Sequence, residues 1–167
     1  MATKAPSSPH GTLVWLSCVR AYNLCEAVMT ARLAELGLRV GEHEVLATIA
    51  TTPGITQQAL AARCFVAKSG VSMLIAQLES RGWVLRESDG ADARVKRLSL
   101  TPDGLAVAQQ TLAIQADVVR AMVDSASEAD MATVTRVMDH ASEALETMRA
   151  APSLEPARGR AAKAKSR

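Results

Sequence analysis

Hydrophobic side chains recur every three or four positions along several stretches of the chain, which is the spacing of one face of an α-helix. The first such stripe runs over residues 12–36, and Gly37 follows it as a helix terminator. Its members are Trp15, Cys18, Tyr22, Cys25, Met29, Leu33 and Leu36. Near its start the helix is apolar almost all round, through Leu13, Val14, Leu16 and Val19. The pattern predicts a long first helix whose beginning needs cover, which a second subunit would supply.

Three shorter helices are predicted next. Residues 41–51 form the first of them, and Thr52-Pro53-Gly54 is a turn signal. Thr56 is a capping residue for a helix over residues 56–63, and another helix covers residues 67–81 and ends at Gly82. The inner face of that last helix carries Val71, Leu74, Ile75 and Leu78. The final two helices have the outline of a helix-turn-helix, although helical hairpins of ordinary enzymes share this outline.

A β-hairpin is predicted after Gly82. Residues 83–88 lead into the turn Asp89-Gly90, and residues 94–100 form the returning strand. The tip and the returning strand carry Arg94, Lys96 and Arg97. A narrow protrusion with arginine near its tip has the right shape to enter a DNA minor groove. The hairpin therefore favours a winged helix-turn-helix over an ordinary helical hairpin.

Two long helices are predicted at the end of the chain. The first starts at Thr101-Pro102, runs to about residue 124, and carries Leu105, Leu112, Val119 and Met122. Ser127-Glu128-Ala129-Asp130 opens the second. Its regular apolar strip consists of Met131, Val134, Met138, Ala141, Leu145 and Met148. Packing within the chain would cover this strip, but the matching strip on the first helix favours a dimer made by both chain ends.

Charge is distributed unevenly along the chain. The net charge of +2 is a weak argument for nucleic-acid binding by itself. However, residues 63–97 carry seven basic and four acidic side chains, whereas residues 102–148 carry two basic and eight acidic ones. This polarity predicts one face that meets phosphates and another that is turned away from them. Residues 1–11 are expected to be disordered, and residues 150–167 to form a flexible basic tail.

Several classes of protein are disfavoured by what the sequence lacks. It has no run of about 18 apolar residues, and no apolar stretch precedes a cleavage site at its start, so we expect a cytoplasmic protein without a membrane partner. Three cysteines without a CxxC spacing argue against a disulfide framework or a thiolate zinc site. Phosphate-binding loops and the common hydrolase and metalloprotease motifs are absent, so neither an enzyme nor a cofactor is expected.

Two local motifs resemble the MarR family of bacterial winged-helix regulators. Residues 78–84, Leu-Glu-Ser-Arg-Gly-Trp-Val, resemble the exit of that family's recognition helix. Asp92-Ala93-Arg94 and residues 98–104 resemble its wing and the entry to the next helix. The resemblance implies a mainly α fold with residues 38–101 as the winged helix-turn-helix and residues 12–37 and 102–149 as a helical dimerisation region. It also implies a homodimer on a pseudo-palindromic double-stranded DNA operator, and repression relieved by a small ligand.

The resemblance places DNA contacts on two elements. On the recognition helix they are Lys68, Ser69, Ser72, Met73 and Gln77. On the wing, Arg94 matches the minor-groove arginine and Asp92 would hold it in place, and Arg86, Lys96 and Arg97 are the other cationic candidates. Serine donates to phosphates and glutamine suits adenine, so these residue types fit such contacts.

For the ligand, the resemblance suggests an aromatic or phenolic carboxylate. The candidate lining residues are Trp15, Arg20, Tyr22 and His43, for which core packing or simple solvation is the alternative interpretation. Redox sensing through Cys18 and Cys25 is a second hypothesis, although the two lie about 10 Å apart along one helix, too far for a disulfide. Glu42-His43 resembles part of a zinc site whose other ligands are missing, so no metal is expected. A constitutive or architectural DNA-binding protein remains a further alternative.

Overall fold

The computed structural model describes residues 9–64, 68–90, 92 and 94–151. Within them the chain forms six helices and three strands. In chain order these are α1 (Pro9–Ala34), α2 (Val40–Thr51), β1 (Ile55–Thr56), α3 (Gln57–Arg63), α4 (Lys68–Ser80), β2 (Val84–Ser88), β3 (Lys96–Leu100), α5 (Pro102–Val123) and α6 (Glu128–Ala150). This arrangement confirms the predicted mainly α fold with a winged helix-turn-helix.

The first helix begins earlier than expected. Residues 9–11 are helical, whereas the sequence pattern assigns them to a disordered start. Pro9 accounts for the difference, because proline at the first helical position has the right φ and lacks only an N–H that would have no partner there. The rest of the predicted disordered start, residues 1–8, and most of the predicted basic tail, residues 152–167, lie outside the described residues.

Glycines end two helices as predicted. Gly37 has a φ of 68°, and the Leu38 amide donates back to the Leu33 carbonyl at 3.0 Å. Gly82 has a φ of 72°, and the Trp83 amide donates to the Leu78 carbonyl at 3.0 Å. Both turns need a left-handed residue, which glycine adopts without a steric penalty.

The hairpin belongs to a three-stranded antiparallel sheet in the order β1-β3-β2. Strands β2 and β3 pair from Val84 opposite Leu100 to Ser88 opposite Lys96, as the alternating pattern predicts. Strand β1 was not predicted. It pairs Thr56 with Arg97, and therefore joins the start of α3 to the wing, by which we mean β2, β3 and the residues between them.

A continuous apolar core lies beneath these elements. The predicted inner face of α4 is buried in full, at Val71, Leu74, Ile75 and Leu78. It packs in the same cluster as residues from α1, α2, α3 and the sheet: Leu33, Leu46, Ile49, Leu60, Val84 and Leu98. Thr56 caps α3 by accepting a hydrogen bond from the Ala59 amide at 3.1 Å, which confirms the predicted cap.

Helix α5 buries a different face from the one its large residues suggest. Leu105, Val119 and Met122 are exposed and Leu112 is half-buried. The buried residues are Gly104, Ala108, Thr111 and Val118. Small residues form this contact because the backbones approach closely: a Cβ on Gly104 would lie 2.0 Å from the Trp83 carbonyl oxygen. The larger side chains of α5 are left facing outwards.

The chain divides into two compact units, with the boundary between Met122 and Val123. The second unit contains α6, whose start confirms the predicted cap: the Ser127 hydroxyl accepts from the Asp130 amide at 3.2 Å. The side chain and amide of Ser127 both hydrogen-bond the Asp130 carboxylate and hold its pKa below the ordinary value. No residue of α6 is buried.

Helix α1 is buried only near its end. Met29 and Leu33 lie in the core, while Cys18 and Cys25 are half-buried. At the beginning of the helix, the predicted stripe is open to solvent in this single chain. Trp15 and Tyr22 have exposed fractions of 62% and 67%.

Candidate nucleic-acid interface

A cleft of about 550 Å³ opens between the helix-turn-helix and the wing. One wall comes from α3 and α4, and the other from the wing. Its lining residues are Thr56, Gln57, Gln58, Ala61, Ser72, Arg94, Val95 and Lys96. The structure therefore brings three predicted DNA contacts, Ser72, Arg94 and Lys96, to one cleft.

Arg94 stands on the wing side of this cleft. Asp92 was predicted to hold it, and the Asp92 carboxylate does accept a hydrogen bond, but from the Arg94 backbone amide at 2.9 Å. The Asp92 carbonyl accepts from the Val95 amide at 2.9 Å, and the Val95 carbonyl from the Asp89 amide at the same distance. These bonds fix the turn on which Arg94 sits. Within the described part of the chain, the Arg94 guanidinium has no hydrogen bond or ion pair, so its donors remain available.

The other predicted cations of the wing have partners in the chain. Arg86 forms a two-pronged ion pair with Glu79 of α4. Arg97 pairs with Asp89 and also donates to the Gly54 carbonyl at 3.0 Å. Lys96 donates to the Ser88 hydroxyl at 2.7 Å. The bonds to Glu79 and Gly54 hold the wing against α4 and the residue before β1, and the other two lie within the wing. All of them compete with phosphates for the same donors.

Helix α4 turns a polar and flexible face outwards. Ser72 and Met73 are exposed and Gln77 is half-buried. Lys68 and Ser69 lie in the first turn of the helix, but their side chains lie outside the described part of the chain. Because Met73 carries no charge, this part of the outer face of α4 can contact a partner by shape and by hydrogen bonds from Ser72 and Gln77, but not by charge.

Two glutamines that line the cleft, and one arginine that supports α4, were missed from the sequence. Gln57 and Gln58 line the cleft from the first turn of α3, and their only sequence signal is their place after the capping Thr56. Arg81 follows α4 and contacts the buried Glu42 carboxylate at 3.4 Å, the Gly37 carbonyl at 3.5 Å and the Trp83 ring at 5.1 Å from its centroid. Arg81 therefore fastens the end of α4 to the start of α2.

Comparison with known proteins agrees with this geometry. Residues 36–95 match the model of the MarR family. A helix-turn-helix-type transcriptional regulator of Bacillus cereus is 30% identical over 102 residues, which cover 61% of this chain and 67% of that protein. The chain belongs to the MarR family. It is thus a DNA-binding transcriptional regulator with a winged-helix fold.

Solved MarR-family structures share the fold along most of the chain. Sco3205 of Streptomyces coelicolor, crystallised with DNA, has a TM-score of 0.77 and 26% identity, and the match covers 92% of this chain and 95% of that one. BpsR of Bordetella bronchiseptica, whose DNA binding is regulated by 6-hydroxynicotinic acid, has a TM-score of 0.67 and 18% identity over 78% of this chain and 98% of that one. None of the described helices is long and apolar enough to cross a membrane.

The four ligand candidates of this MarR-family chain lie on two helices, three on α1 and one on α2. A groove of about 400 Å³ lies between α1 and α5, and it contains none of them. Its lining residues are Ala21, Leu24, Cys25, Val28, Arg32, Asp117, Val118, Ala121 and Met122. Trp15, Arg20 and Tyr22 are exposed on α1, whereas His43 is buried on α2.

His43 connects α2 to α5. Burial lowers the pKa of its imidazole, and a hydrogen bond with Gln115 of α5 opposes this shift. The Nδ1 atom of His43 is buried without a hydrogen-bond partner among the described residues. His43 is therefore a neutral interior group at ordinary pH, and its neighbour Glu42 is occupied by Arg81 and the Arg39 amide. Across the described ranges, no three histidine, cysteine or acidic side chains are grouped as metal ligands.

Cys64 is the third cysteine and follows α3. Burial, followed by the charge of Glu44, raises the pKa of its thiol, and a hydrogen bond with Thr48 opposes the shift. A thiol with a raised pKa forms little thiolate, which is the reactive form. This site gives no support to redox sensing.

Proposed function

We propose that this regulator is a homodimer that binds a pseudo-palindromic operator in the bacterial cytoplasm and represses transcription until a small aromatic or phenolic acid releases it. The cleft between the helix-turn-helix and the wing carries the DNA-binding part of the proposal. Ser72 lies on one wall, and the Arg94 side chain, without a partner among the described residues, lies on the other.

The cleft geometry supports two contacts with DNA. The outer face of α4, with Ser72, Met73 and Gln77, suits the major groove, where side chains read base edges. Arg94 at the tip of the wing suits the adjacent minor groove, whose negative potential attracts arginine. Arg86 and Arg97 then act chiefly by holding the wing in place, through Glu79 and Asp89.

The test of this contact is a gel-shift titration with the operator found by footprinting the promoter of the protein's own gene. Arg94→Ala is expected to weaken operator binding by about ten- to a hundredfold, the usual loss for a charged hydrogen bond. Arg120→Ala on α5 removes the same charge from a side chain that is 71% exposed and is the matched control. Equal affinities of the two variants would contradict the assignment of the wing.

Comparison with random DNA separates a regulator from an architectural protein. A regulator binds its two-fold symmetric site far more tightly than random DNA, by about a thousandfold or more. An architectural protein shows similar affinities for both and a steep dependence on salt. We expect the first result, because Gln77 on the outer face of α4 suits adenine and so offers a hydrogen bond that depends on the base sequence.

Uncovered apolar side chains support the homodimer. On α6, Val134, Leu145 and Met148 are exposed by 59%, 64% and 67%, and the start of α1 is similarly apolar and exposed. Large apolar strips of this kind mark protein interfaces. Val134→Lys should shift the protein towards monomers in sedimentation equilibrium, whereas Glu143→Lys, on the opposite side of the helix, should not. A monomeric wild-type protein would refute the proposal.

The groove between α1 and α5 supports the choice of effector. Its wall is mainly apolar, and Arg32, which pairs with Asp117 at 4.0 Å, provides a cation for a carboxylate. A pocket of this size fits a single substituted ring. BpsR responds to one aromatic acid of this class. Thermal-shift titrations with aromatic carboxylates and phenols should find a compound that stabilises the protein and also releases DNA. Arg32→Ala should weaken the binding of that compound. If no compound stabilises the protein or releases DNA, the proposed effector is refuted.

Repression itself is tested by transcription in vitro from the footprinted promoter. If the operator overlaps the polymerase site, bound regulator excludes polymerase, and the transcript should fall as the protein is titrated. A transcript that rises instead would identify an activator.

A further inference from the structure

A hydrogen bond joins the two helices at the floor of the cleft. The Gln57 side-chain amide, at the first position of α3, donates to the Ser72 hydroxyl oxygen on α4 at 3.1 Å. Both residues line the cleft, and Gln57 is half-buried while Ser72 is exposed. The contact spans 15 positions in sequence, so it depends on the fold and not on local chain geometry.

The direction of this bond determines what Ser72 can offer to DNA. A serine hydroxyl has one proton to donate and lone pairs that accept. Because the oxygen accepts from Gln57, and Gln57 is its partner within the described ranges, the hydroxyl proton is left to donate elsewhere. The open side of Ser72 is the cleft. Ser72 is therefore set as a donor towards whatever occupies the cleft.

The wing fixes Gln57 in this position. Thr56, the preceding residue, pairs with Arg97 of β3 and caps α3. Arg97 also donates to the Gly54 carbonyl, which ties the same short segment to the wing a second time. Gln57 is thus attached to the element that carries Arg94, on the opposite wall of the cleft.

We propose that Gln57 is a positioning residue that makes Ser72 a hydrogen-bond donor to an acceptor on the operator. This inference rests on the proposed function. The acceptor is an oxygen or nitrogen of the DNA, either a phosphate oxygen or a base edge such as purine N7, guanine O6 or thymine O4. Without Gln57 the hydroxyl rotates freely, and part of the donor geometry is lost.

The test is a double-mutant cycle in operator binding, measured by fluorescence anisotropy. Gln57→Met and Ser72→Ala should each weaken binding by about three- to tenfold, the range for one neutral hydrogen bond. The double variant should bind no more than about twofold weaker than Ser72→Ala alone, because Gln57 acts through Ser72. Losses that multiply in the double variant, or an unchanged Gln57→Met affinity, would overturn the inference.

Gln58→Met is the matched control. Gln58 is the neighbouring glutamine and lines the same cleft, but its side chain has no hydrogen bond to Ser72 in the described structure. Any loss it causes should therefore multiply with that of Ser72→Ala. Thermal unfolding of each variant shows whether the fold is intact. If Gln57→Met unfolds, Gln57→Leu takes its place in the cycle.

Operators with single base-pair changes identify the acceptor. If it is a base edge, Gln57→Met and Ser72→Ala lose discrimination at the same base pair and nowhere else. If it is a phosphate, both variants weaken binding to all operator sequences equally. If the wild-type protein does not prefer its operator over random DNA, both the proposed function and this inference are refuted. If it does prefer its operator but the losses in affinity multiply in the double variant, only this inference is refuted.

Discussion

Replacing Gly104 by alanine tests how closely α5 approaches the base of the wing. In an ordinary helix this change stabilises the protein by about 0.5–1 kcal/mol, because alanine loses less backbone entropy than glycine. Here the added Cβ would lie 2.0 Å from the Trp83 carbonyl oxygen, 2.8 Å from its carbonyl carbon and 2.9 Å from its Cα. All three are backbone atoms, so no side chain can rotate away to relieve the overlap.

The magnitude follows from the movement required. Cβ atoms essentially never approach a neighbour closer than 3.0 Å, so α5 and Trp83 must separate by about 1 Å. Overpacking of this kind costs about 1–3 kcal/mol, and the alanine propensity offsets up to about 1 kcal/mol of it. Thr101 accepts from the Gly104 amide at 3.0 Å and donates to the Gly82 carbonyl at 2.8 Å, so the same displacement strains the helix cap. Because the neighbouring atoms are all backbone, the cost falls at the upper end of this range, and we expect a net loss of about 2 kcal/mol.

The assay is thermal unfolding followed by circular dichroism at one fixed protein concentration. A loss of about 2 kcal/mol lowers Tm by about 4–8 °C in a chain of this length. Gly11→Ala is the control, because Gly11 is also helical and has nothing within 4 Å of its added Cβ, so its Tm should rise slightly. A Gly104→Ala protein as stable as Gly11→Ala would refute the close approach between α5 and the Trp83 backbone.

Three further predictions concern other parts of the molecule. The pKa of His43 is lowered by burial from its ordinary value of 6.5, so the unfolded chain binds more protons below that value and stability falls as the pH drops through it. His43→Gln should remove this part of the acid sensitivity in unfolding titrations at pH 7 and pH 5, and an unaltered pH dependence would contradict it. Met73 is 58% exposed, and we expect it to contact a thymine methyl group. Replacing that thymine by deoxyuridine removes the methyl group and should weaken wild-type binding about fourfold, since one buried methyl contributes about 0.8 kcal/mol. The same replacement should leave the affinity of Met73→Ala unchanged. If each thymine of the operator is replaced in turn and both proteins respond alike, the contact is contradicted. Glu42→Gln keeps the acceptor for the Arg39 amide but removes the charge opposite Arg81. The free energy of unfolding should fall by about 1 kcal/mol and Tm by about 2–4 °C. An unchanged Tm would show that the pair of Glu42 and Arg81 does not stabilise the end of α4.

The elements that repeat a pattern over several turns could be predicted from the sequence. The inner face of α4, the glycine at its end and the two strands of the wing all follow from local spacing and turn chemistry. Strand β1 could not be predicted, because two residues are too few to show an alternation and Thr56 already has a sufficient role as a cap. Only the position of β3 reveals that Ile55 and Thr56 are paired.

The buried face of α5 cannot be predicted from its large side chains. Leu105 and Val119 suggest the buried face by their size, but the contact is made by Gly104, Ala108 and Thr111. Small residues bury little apolar area, so a hydrophobic pattern underrates them where two backbones come close. The exposed leucine and valine remain candidates for the dimer interface.

The candidate site was predicted by residue type and position but not by partner. By residue type alone, Arg86, Lys96 and Arg97 look equivalent to Arg94, which only the family resemblance distinguishes. Their partners lie seven or more positions away, and only the folded chain shows which donors are occupied. Gln57 was missed for the same reason, since its bond to Ser72 crosses from one helix to another.

The order of strands in the sheet also bears on self-association. Strand β3 lies in the middle, paired along its length with β2 and at Arg97 and Leu98 with β1, so few of its backbone groups are open to another chain. One edge, β1, is only two residues long, and the other, β2, carries Arg86 and Glu87 on a five-residue strand. Short, charged edges resist the edge-to-edge pairing that leads to aggregation. The wing can therefore protrude from the body of the protein without becoming a template for strand addition by a second wing.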